Sequence, residues 1–169
     1  MSDLEAKTEE LYHAAARYDA GDPKRIQHFT KVWTYARLIG LGEGLDEKTL
    51  FTLECAAIVH DIGIHKAEEL YHSTAGKYQE ELGPAEAKKL LIGLGFSAET
   101  TERVCFLVGH HHTYSGIDGI DWQILVEADF LVNLFEDASP RDAAVSAYKK
   151  VFRTATGKKM WEEMYGSEY

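Results

Sequence analysis

The chain has 169 residues, of which 45% are apolar and 27% are charged, and these values are typical of a globular protein with a single core. Its net charge of −10, from 28 acidic and 18 basic residues, argues against DNA, RNA or an anionic membrane as the main partner, because those surfaces attract basic proteins. A small phosphorylated substrate needs only a local positive site and stays compatible with this charge.

Helical periodicity dominates the sequence, with Pro, Gly and capping residues between the periodic segments. Pro23 and Pro140 follow the N-cap candidates Asp22 and Ser139. Nowhere does the period-two alternation of a strand persist. The sequence therefore predicts an all-α fold, one compact helical bundle and a single domain over residues 1–169. The predicted helices cover residues 3–19, 23–41, 46–61, 66–82, 84–94, 98–111, 121–137, 140–154 and 157–165.

The apolar segments are short compared with the roughly 20 residues that span a bilayer, and the charged amphipathic N-terminus differs from a signal peptide. Cys55 and Cys105 lie singly within apolar helical patterns, without a CxxC motif or a secreted-type disulfide framework. We therefore expect a cytoplasmic protein with no membrane partner and two buried thiols.

Two histidines lie on faces that should pack inward. On a helical wheel, His28 and His60 each share a face with apolar residues. These neighbours are Val32, Tyr35 and Ile39 for His28, and Leu53, Ala56 and Ala57 for His60. Asp61 follows His60 directly, and Gly63 then ends the helical pattern. Two adjacent side chains at a helix end can converge on one point.

Asp129 lies at the margin of the apolar arc in the segment ILVEADFLVNLF, next to Leu125 and Val132. A buried carboxylate needs a compensating charge or metal. Taken singly, a histidine on an apolar face is usually a hydrogen-bonded core residue, and this Asp could be half exposed. Together, two imidazoles and two carboxylates from three helices favour a divalent transition metal.

The order His28, His60-Asp61, Asp129 resembles the HD superfamily of metal-dependent phosphohydrolases. The stretch AAIVHDIG carries most of the resemblance, which covers about residues 25–135. It implies an HD-type helical bundle in which these four side chains bind one metal, with Asp61 also a catalytic residue. The implied activity is hydrolysis of a small phosphate ester, such as a nucleotide or a related phosphomonoester, by metal-activated water.

The chain departs from the family pattern after the His-Asp pair. Many members have Lys three residues after the Asp, where this chain has Ile64, followed by His65 and Lys66. Members with two metals have further histidines, and GHHHTYSGIDGID is similar to their two-histidine loop. A second metal could use Glu81, His110 or His111, but we favour a phosphate-binding role for this histidine run.

Other candidates could bind or activate the substrate. Arg25 lies one turn before His28 and could reach a phosphate, although a surface arginine is an equally good reading. Lys66 is a catalytic candidate, and His65 and Lys77 are candidates for substrate binding. Glu69, or its neighbour Glu68, could transfer protons, although most such residues are simply solvated.

The ligand set favours Mn, Fe, Co or Ni, with Zn compatible. Two alternatives remain beside the phosphohydrolase. One is a di-iron oxygenase of the HD type, which requires a full second metal site. The other is a regulatory module that holds the metal without turnover. The terminal helices are candidates for a homodimer contact.

Overall fold

The structure is a computed structural model that describes residues 2–166, and within this range the chain forms nine helices and no strand. The all-α prediction is confirmed. The helices are α1 (Asp3–Tyr18), α2 (Pro23–Gly42), α3 (Glu47–Val59), α4 (Ile64–Tyr71), α5 (Gly76–Gly93), α6 (Ala98–Val108), α7 (Ile120–Glu136), α8 (Arg141–Lys150) and α9 (Ala155–Tyr165).

Helix α3 lies at the centre of the bundle, where it packs against α1, α2, α6 and α7. Every residue from Phe51 to Val59 is buried, as expected for a helix that is apolar on all sides. Helices α2 and α7 also pack against each other. This arrangement brings His28 of α2, Asp129 of α7 and the end of α3 to one region of the core.

The capping prediction is correct for α2 and wrong for α8. The Asp22 side chain accepts a hydrogen bond of 3.2 Å from the backbone N–H of Arg25, which caps the first turn of α2. Helix α8 begins one residue later than the cap at Ser139 would require. Its N-cap position is Pro140, which offers no side-chain hydrogen bond.

The predicted division at Pro84 is also wrong. Helix α4 ends at Tyr71, where His72 takes a left-handed conformation (φ 50°), and α5 continues through Pro84. The proline lacks an N–H and removes one hydrogen bond within α5. Packing of α5 against both α4 and α6 holds the helix together across this position.

Helices α4 and α5 approach each other closely at two glycines. A Cβ atom added to Gly63 would lie 2.7 Å from the Gly83 nitrogen and 2.9 Å from its Cα. The atoms in the way belong to the backbone, so no side-chain rotation could make room. Gly63, which lies two residues after Asp61, is therefore needed for the close packing of the start of α4 against α5.

Glu127 connects α7 to the start of α9. Its carboxylate is fully buried and accepts hydrogen bonds from the backbone N–H groups of Arg153 and Thr154, at 2.6 and 3.0 Å, and from the Thr154 hydroxyl at 2.5 Å. These bonds satisfy donors at the N-terminal end of α9. Across residues 2–166, no helix combines the length and apolar character that a membrane crossing requires.

Candidate metal centre

The structure brings His28, His60, Asp61 and Asp129 together. The His28 Nε2 atom lies 3.2 Å from His60 Nε2 and 3.2 Å from Asp61 Oδ2. Asp129 Oδ1 lies 3.3 Å from His28 Nε2 and 3.4 Å from His60 Nε2. The distance from His60 Nε2 to Asp61 Oδ2 is 3.5 Å. Four side chains from three stretches of sequence thus point their ligand atoms at one centre.

The other nitrogen of each imidazole is already occupied. His60 Nδ1 donates to the Ala57 carbonyl at 2.7 Å, and His28 Nδ1 donates to Glu136 Oε2 at 2.8 Å. Because Nδ1 carries the hydrogen in both rings, Nε2 is the atom that faces the centre. This is the usual arrangement for a metal-binding histidine, since a hydrogen bond at one ring nitrogen orients the other.

The spacing of the four atoms fits a metal ion. Ligand atoms about 2.0–2.2 Å from one cation are about 2.8–3.6 Å apart in tetrahedral or octahedral geometry, and the observed separations are 3.2–3.5 Å. Asp129 Oδ1 is buried and accepts no hydrogen bond from the residues that the structure describes. A cation at the centre would satisfy this oxygen.

The electrostatics of the cluster also favour a cation. Burial opposes protonation of His28, but the Asp129 and Asp61 carboxylates outweigh it and raise the pKa of the imidazole to about 11. Burial raises the pKa of the Asp129 carboxyl, yet the His28 and His60 side chains hold it below its usual range. The cluster thus stabilises a positive charge between its carboxylates. In the metal-free protein, this positive charge is that of the protonated His28 imidazole.

His111 joins the cluster from the turn after α6. Its Nε2 atom lies 3.3 Å from Asp61 Oδ1, and its Nδ1 donates to the Val108 carbonyl at 2.8 Å. The two oxygens of Asp61 therefore face different imidazoles. His110, which was grouped with His111 in the prediction, points elsewhere. Its Nδ1 donates to the Phe106 carbonyl, and its ring stacks on the Phe106 ring.

His112, the last of the three histidines for which a phosphate-binding role was predicted, also lines the site together with Gln79, which was not predicted. Gln79 Nε2 donates to the Thr74 carbonyl at 2.7 Å, which places its Oε1 atom 3.0 Å from His112 Nε2. His112 Nε2 therefore carries a hydrogen and donates it to Gln79. Burial, reinforced by His111, lowers the pKa of His112 to about 4. His112 is thus a neutral imidazole beside the cluster.

A cavity of about 410 Å³ opens above the cluster. Arg25 lies in its wall, with Nη2 2.9 Å from Glu68 Oε1 and Nε 3.4 Å from Asp22 Oδ2. Lys24 is exposed at the edge of the same cavity. The remaining walls are both polar and aromatic, and they include Thr74, Tyr114, Phe130, Asn133, Glu136 and Asp137.

Several predicted site residues lie away from this cavity. Lys66 and Glu69 form a surface ion pair of 3.1 Å, and exposed Lys77 lies over the Tyr78 ring. These side chains fall on the outer faces of α4 and α5, because the His-Asp pair is followed by a turn that redirects the chain. The structure therefore does not support their predicted roles in catalysis or substrate binding.

His65 and Glu81 are likewise outside the cavity lining. His65 Nε2 lies 3.0 Å from Asp19 Oδ1, on the side of α4 that faces the end of α1. Glu81 is exposed and accepts a hydrogen bond of 2.9 Å from the Tyr71 hydroxyl. Helix α5 turns this carboxylate to the surface, away from the cluster, so the structure does not support Glu81 as a candidate ligand of a second metal.

Glu136 was missed, although the sequence contained a signal for it. It lies seven residues after Asp129, which is about two helical turns, so both carboxylates project from one face of α7. Its Oε1 atom contacts Lys31 Nζ at 2.5 Å while Oε2 binds His28. The same spacing occurs on many solvated helix faces, and the packing of α2 against α7 is what makes it significant.

Comparison with known proteins agrees with this geometry. A family model for the HD domain matches residues 25–150, whereas no curated protein matches the sequence. The fold is similar to the crystal structure of a predicted HD superfamily hydrolase from an uncultured Thermotogales bacterium, with 28% identity and a TM-score of 0.66. The match covers 93% of this chain and 84% of that one. From its motif, its fold and this family match, the protein belongs to the HD-domain family.

Proposed function

We propose that the protein is a metal-dependent hydrolase that acts on a small phosphate ester, a nucleotide or a related phosphomonoester. The observation that carries the proposal is the cluster of His28, His60, Asp61 and Asp129 at the base of a cavity bordered by Lys24 and Arg25. The similarity to a predicted HD superfamily hydrolase supports the hydrolytic part. A phosphate ester is inferred as the substrate because the side chains of Lys24 and Arg25 are positively charged.

The four clustered side chains would hold the metal. Two imidazoles and two carboxylates suit Mn, Fe, Co or Ni, with Zn compatible. When bound, such a cation lowers the pKa of a coordinated water by several units and neutralises charge on a phosphoryl oxygen. Because four protein atoms leave up to two positions open in an octahedral site, both water and substrate have room.

Arg25 would bind the phosphoryl oxygens. Its guanidinium is held by Asp22 and Glu68 at the cavity wall, so little rotational freedom is lost when an anion binds. Lys24 would add a mobile positive charge at the entrance. Tyr114 packs edge-on against Phe130, with ring centroids 5.1 Å apart, and these rings would contact the organic part of the ester.

The test is elemental analysis of purified protein, followed by a phosphoester screen with each of Mn²⁺, Co²⁺, Ni²⁺, Fe²⁺ and Zn²⁺. We expect one metal per chain and hydrolysis of at least one phosphomonoester. Asp61→Ala should lose both metal and activity, whereas Lys66→Met, on the surface, should keep both. Full metal retention in Asp61→Ala and in His60→Ala would refute the site.

A second candidate is a di-iron oxygenase. It is favoured by the position of His111, whose Nε2 atom lies 3.3 Å from Asp61 Oδ1, the oxygen of Asp61 that does not face His28 and His60. This function needs two irons per chain and iron-dependent oxygen uptake. One metal per chain with phosphatase activity would exclude it. A protein that holds its metal but hydrolyses nothing in the screen would instead support the regulatory module.

A further inference from the structure

We infer that Glu136 is a positioning residue for the metal centre, which orients His28 and increases its strength as a ligand. The inference rests on the proposed metal site and extends it by a residue outside the ligand cluster. Glu136 occupies the last turn of α7, and its side chain is 16% exposed. Its carboxylate reaches across to α2 and contacts both His28 and Lys31.

The contact with His28 is short and specific. Glu136 Oε2 lies 2.8 Å from His28 Nδ1, on the side of the ring opposite the cluster. Nδ1 donates to this oxygen, so the ring cannot turn without breaking a charge-assisted hydrogen bond. The bond fixes the tautomer in which Nε2 is available to a metal.

Glu136 differs in kind from the partners of the other two imidazoles. His60 and His111 donate from Nδ1 to the backbone carbonyls of Ala57 and Val108, which are neutral acceptors. A carboxylate partner makes the imidazole more basic and therefore a stronger ligand. His28 is thus the histidine whose ligand strength depends on a replaceable side chain.

Lys31 explains how Glu136 stays in place. Its Nζ atom contacts the other carboxylate oxygen, Oε1, at 2.5 Å, and it lies on α2 about one turn after His28. The lysine compensates the charge that Glu136 brings close to Asp61 and Asp129. The carboxylate therefore has one oxygen held by α2 through Lys31 and the other free to orient the His28 ring.

The experiment compares Glu136→Gln and Glu136→Leu with the control Asp137→Asn. Asp137 is the next carboxylate in the chain and borders the same cavity, but it is not among the hydrogen-bond or ion-pair partners of His28 within the described residues. Mn²⁺ affinity would be measured by calorimetry, the ligand field by the visible spectrum of the Co²⁺ protein, and folding by thermal melting in EDTA.

We expect Glu136→Leu to weaken Mn²⁺ binding by about 10–100-fold and to change the Co²⁺ spectrum. Glu136→Gln keeps a hydrogen-bond acceptor without the charge, so its affinity should fall between those of the wild type and the Leu variant. The Mn²⁺ affinity of Asp137→Asn should stay within about twofold of the wild-type value, because a loss of about 10–100-fold is expected only for a residue that orients a ligand ring.

Wild-type affinity and an unchanged Co²⁺ spectrum in both Glu136 variants would overturn the inference. If Glu136→Leu does not fold in EDTA, the Gln variant decides the question by the same two measurements. A wild-type protein that binds metal but hydrolyses no phosphoester would contradict the proposed function and leave this inference standing. A wild-type protein that binds no metal would overturn both.

Discussion

Replacing Gly63 with Ala should destabilise the protein and weaken its metal site. The backbone of Gly63 is in the ordinary right-handed region (φ −78°), so Ala is opposed by lack of space and not by conformation. Its Cβ would meet the Gly83 nitrogen at 2.7 Å, the Gly83 Cα at 2.9 Å and the Gln79 carbonyl oxygen at 3.0 Å. The closest of these gaps must widen to about 3.4 Å before the contact becomes ordinary.

Overpacking of this kind costs about 1–3 kcal/mol. For a chain of this size that corresponds to a decrease in Tm of roughly 2–12 °C. Because Asp61 is two residues away and Gln79 contacts His112, separation of α4 from α5 also displaces one side of the cluster. We therefore expect weaker Mn²⁺ binding in addition to the lower Tm.

The assays are thermal melting by circular dichroism and Mn²⁺ titration. The control is Gly93→Ala at the C-terminal end of α5, the helix that Gly63 packs against, because an added Cβ there meets nothing within 4 Å. Ala favours helix by up to about 1 kcal/mol over Gly, so the Tm of this variant should equal or exceed that of wild type. A Gly63→Ala protein with wild-type Tm and metal affinity would refute the packing argument.

Three further predictions concern stability, protons and substrate. Glu127→Ala leaves the N–H groups at the start of α9 without partners and should cost about 2–4 kcal/mol, measured by urea unfolding. Metal binding at pH 7 should release about one proton, because His28 has a pKa of about 11 in the metal-free protein and must lose its Nε2 hydrogen to bind. Affinity should therefore rise with pH, and calorimetry in buffers of different ionisation enthalpy measures the proton. Arg25→Met should lower kcat/KM for a phosphomonoester by about 100–1000-fold without changing the metal content.

Each of these has a contradicting result. Glu127→Gln keeps the shape and one acceptor, so it should lose less stability than Glu127→Ala, and the reverse order would contradict the proposed role of the carboxylate. Metal binding that releases no proton would contradict the raised pKa of His28 in the metal-free protein. An Arg25→Met protein with wild-type kcat/KM would place the phosphate elsewhere in the cavity.

Much of the fold could be predicted from the sequence because local signals and packing agree. Helices α2, α3 and α7 have strong apolar patterns, and their observed ends lie within two residues of the predicted ones. The break between α4 and α5 was misplaced because HSTA, residues 72–75, contains neither Gly nor Pro. Pro84 is a strong local signal for a helix start, and tertiary packing overrides it.

The ligand candidates could be proposed from the sequence because inward-facing polar residues are expensive unless they have partners. Asp129, expected at the margin of the apolar arc, is only 4% exposed. Choosing between His110 and His111 required the turn after Val108, which sends one ring to Phe106 and the other to Asp61. The residues that line the cavity could not all be predicted, because the lining depends on the direction in which α4 leaves the His-Asp pair.

Two buried carboxylates of α7, only two residues apart in sequence, connect this helix to different parts of the protein. Glu127 faces α9 and Asp129 faces the cluster, with side chains directed about 200° apart around the helix. An ion that binds only the folded centre stabilises every segment that must unfold with it. Mn²⁺ should therefore slow proteolytic cleavage within α9, a helix that contributes no atom to the centre.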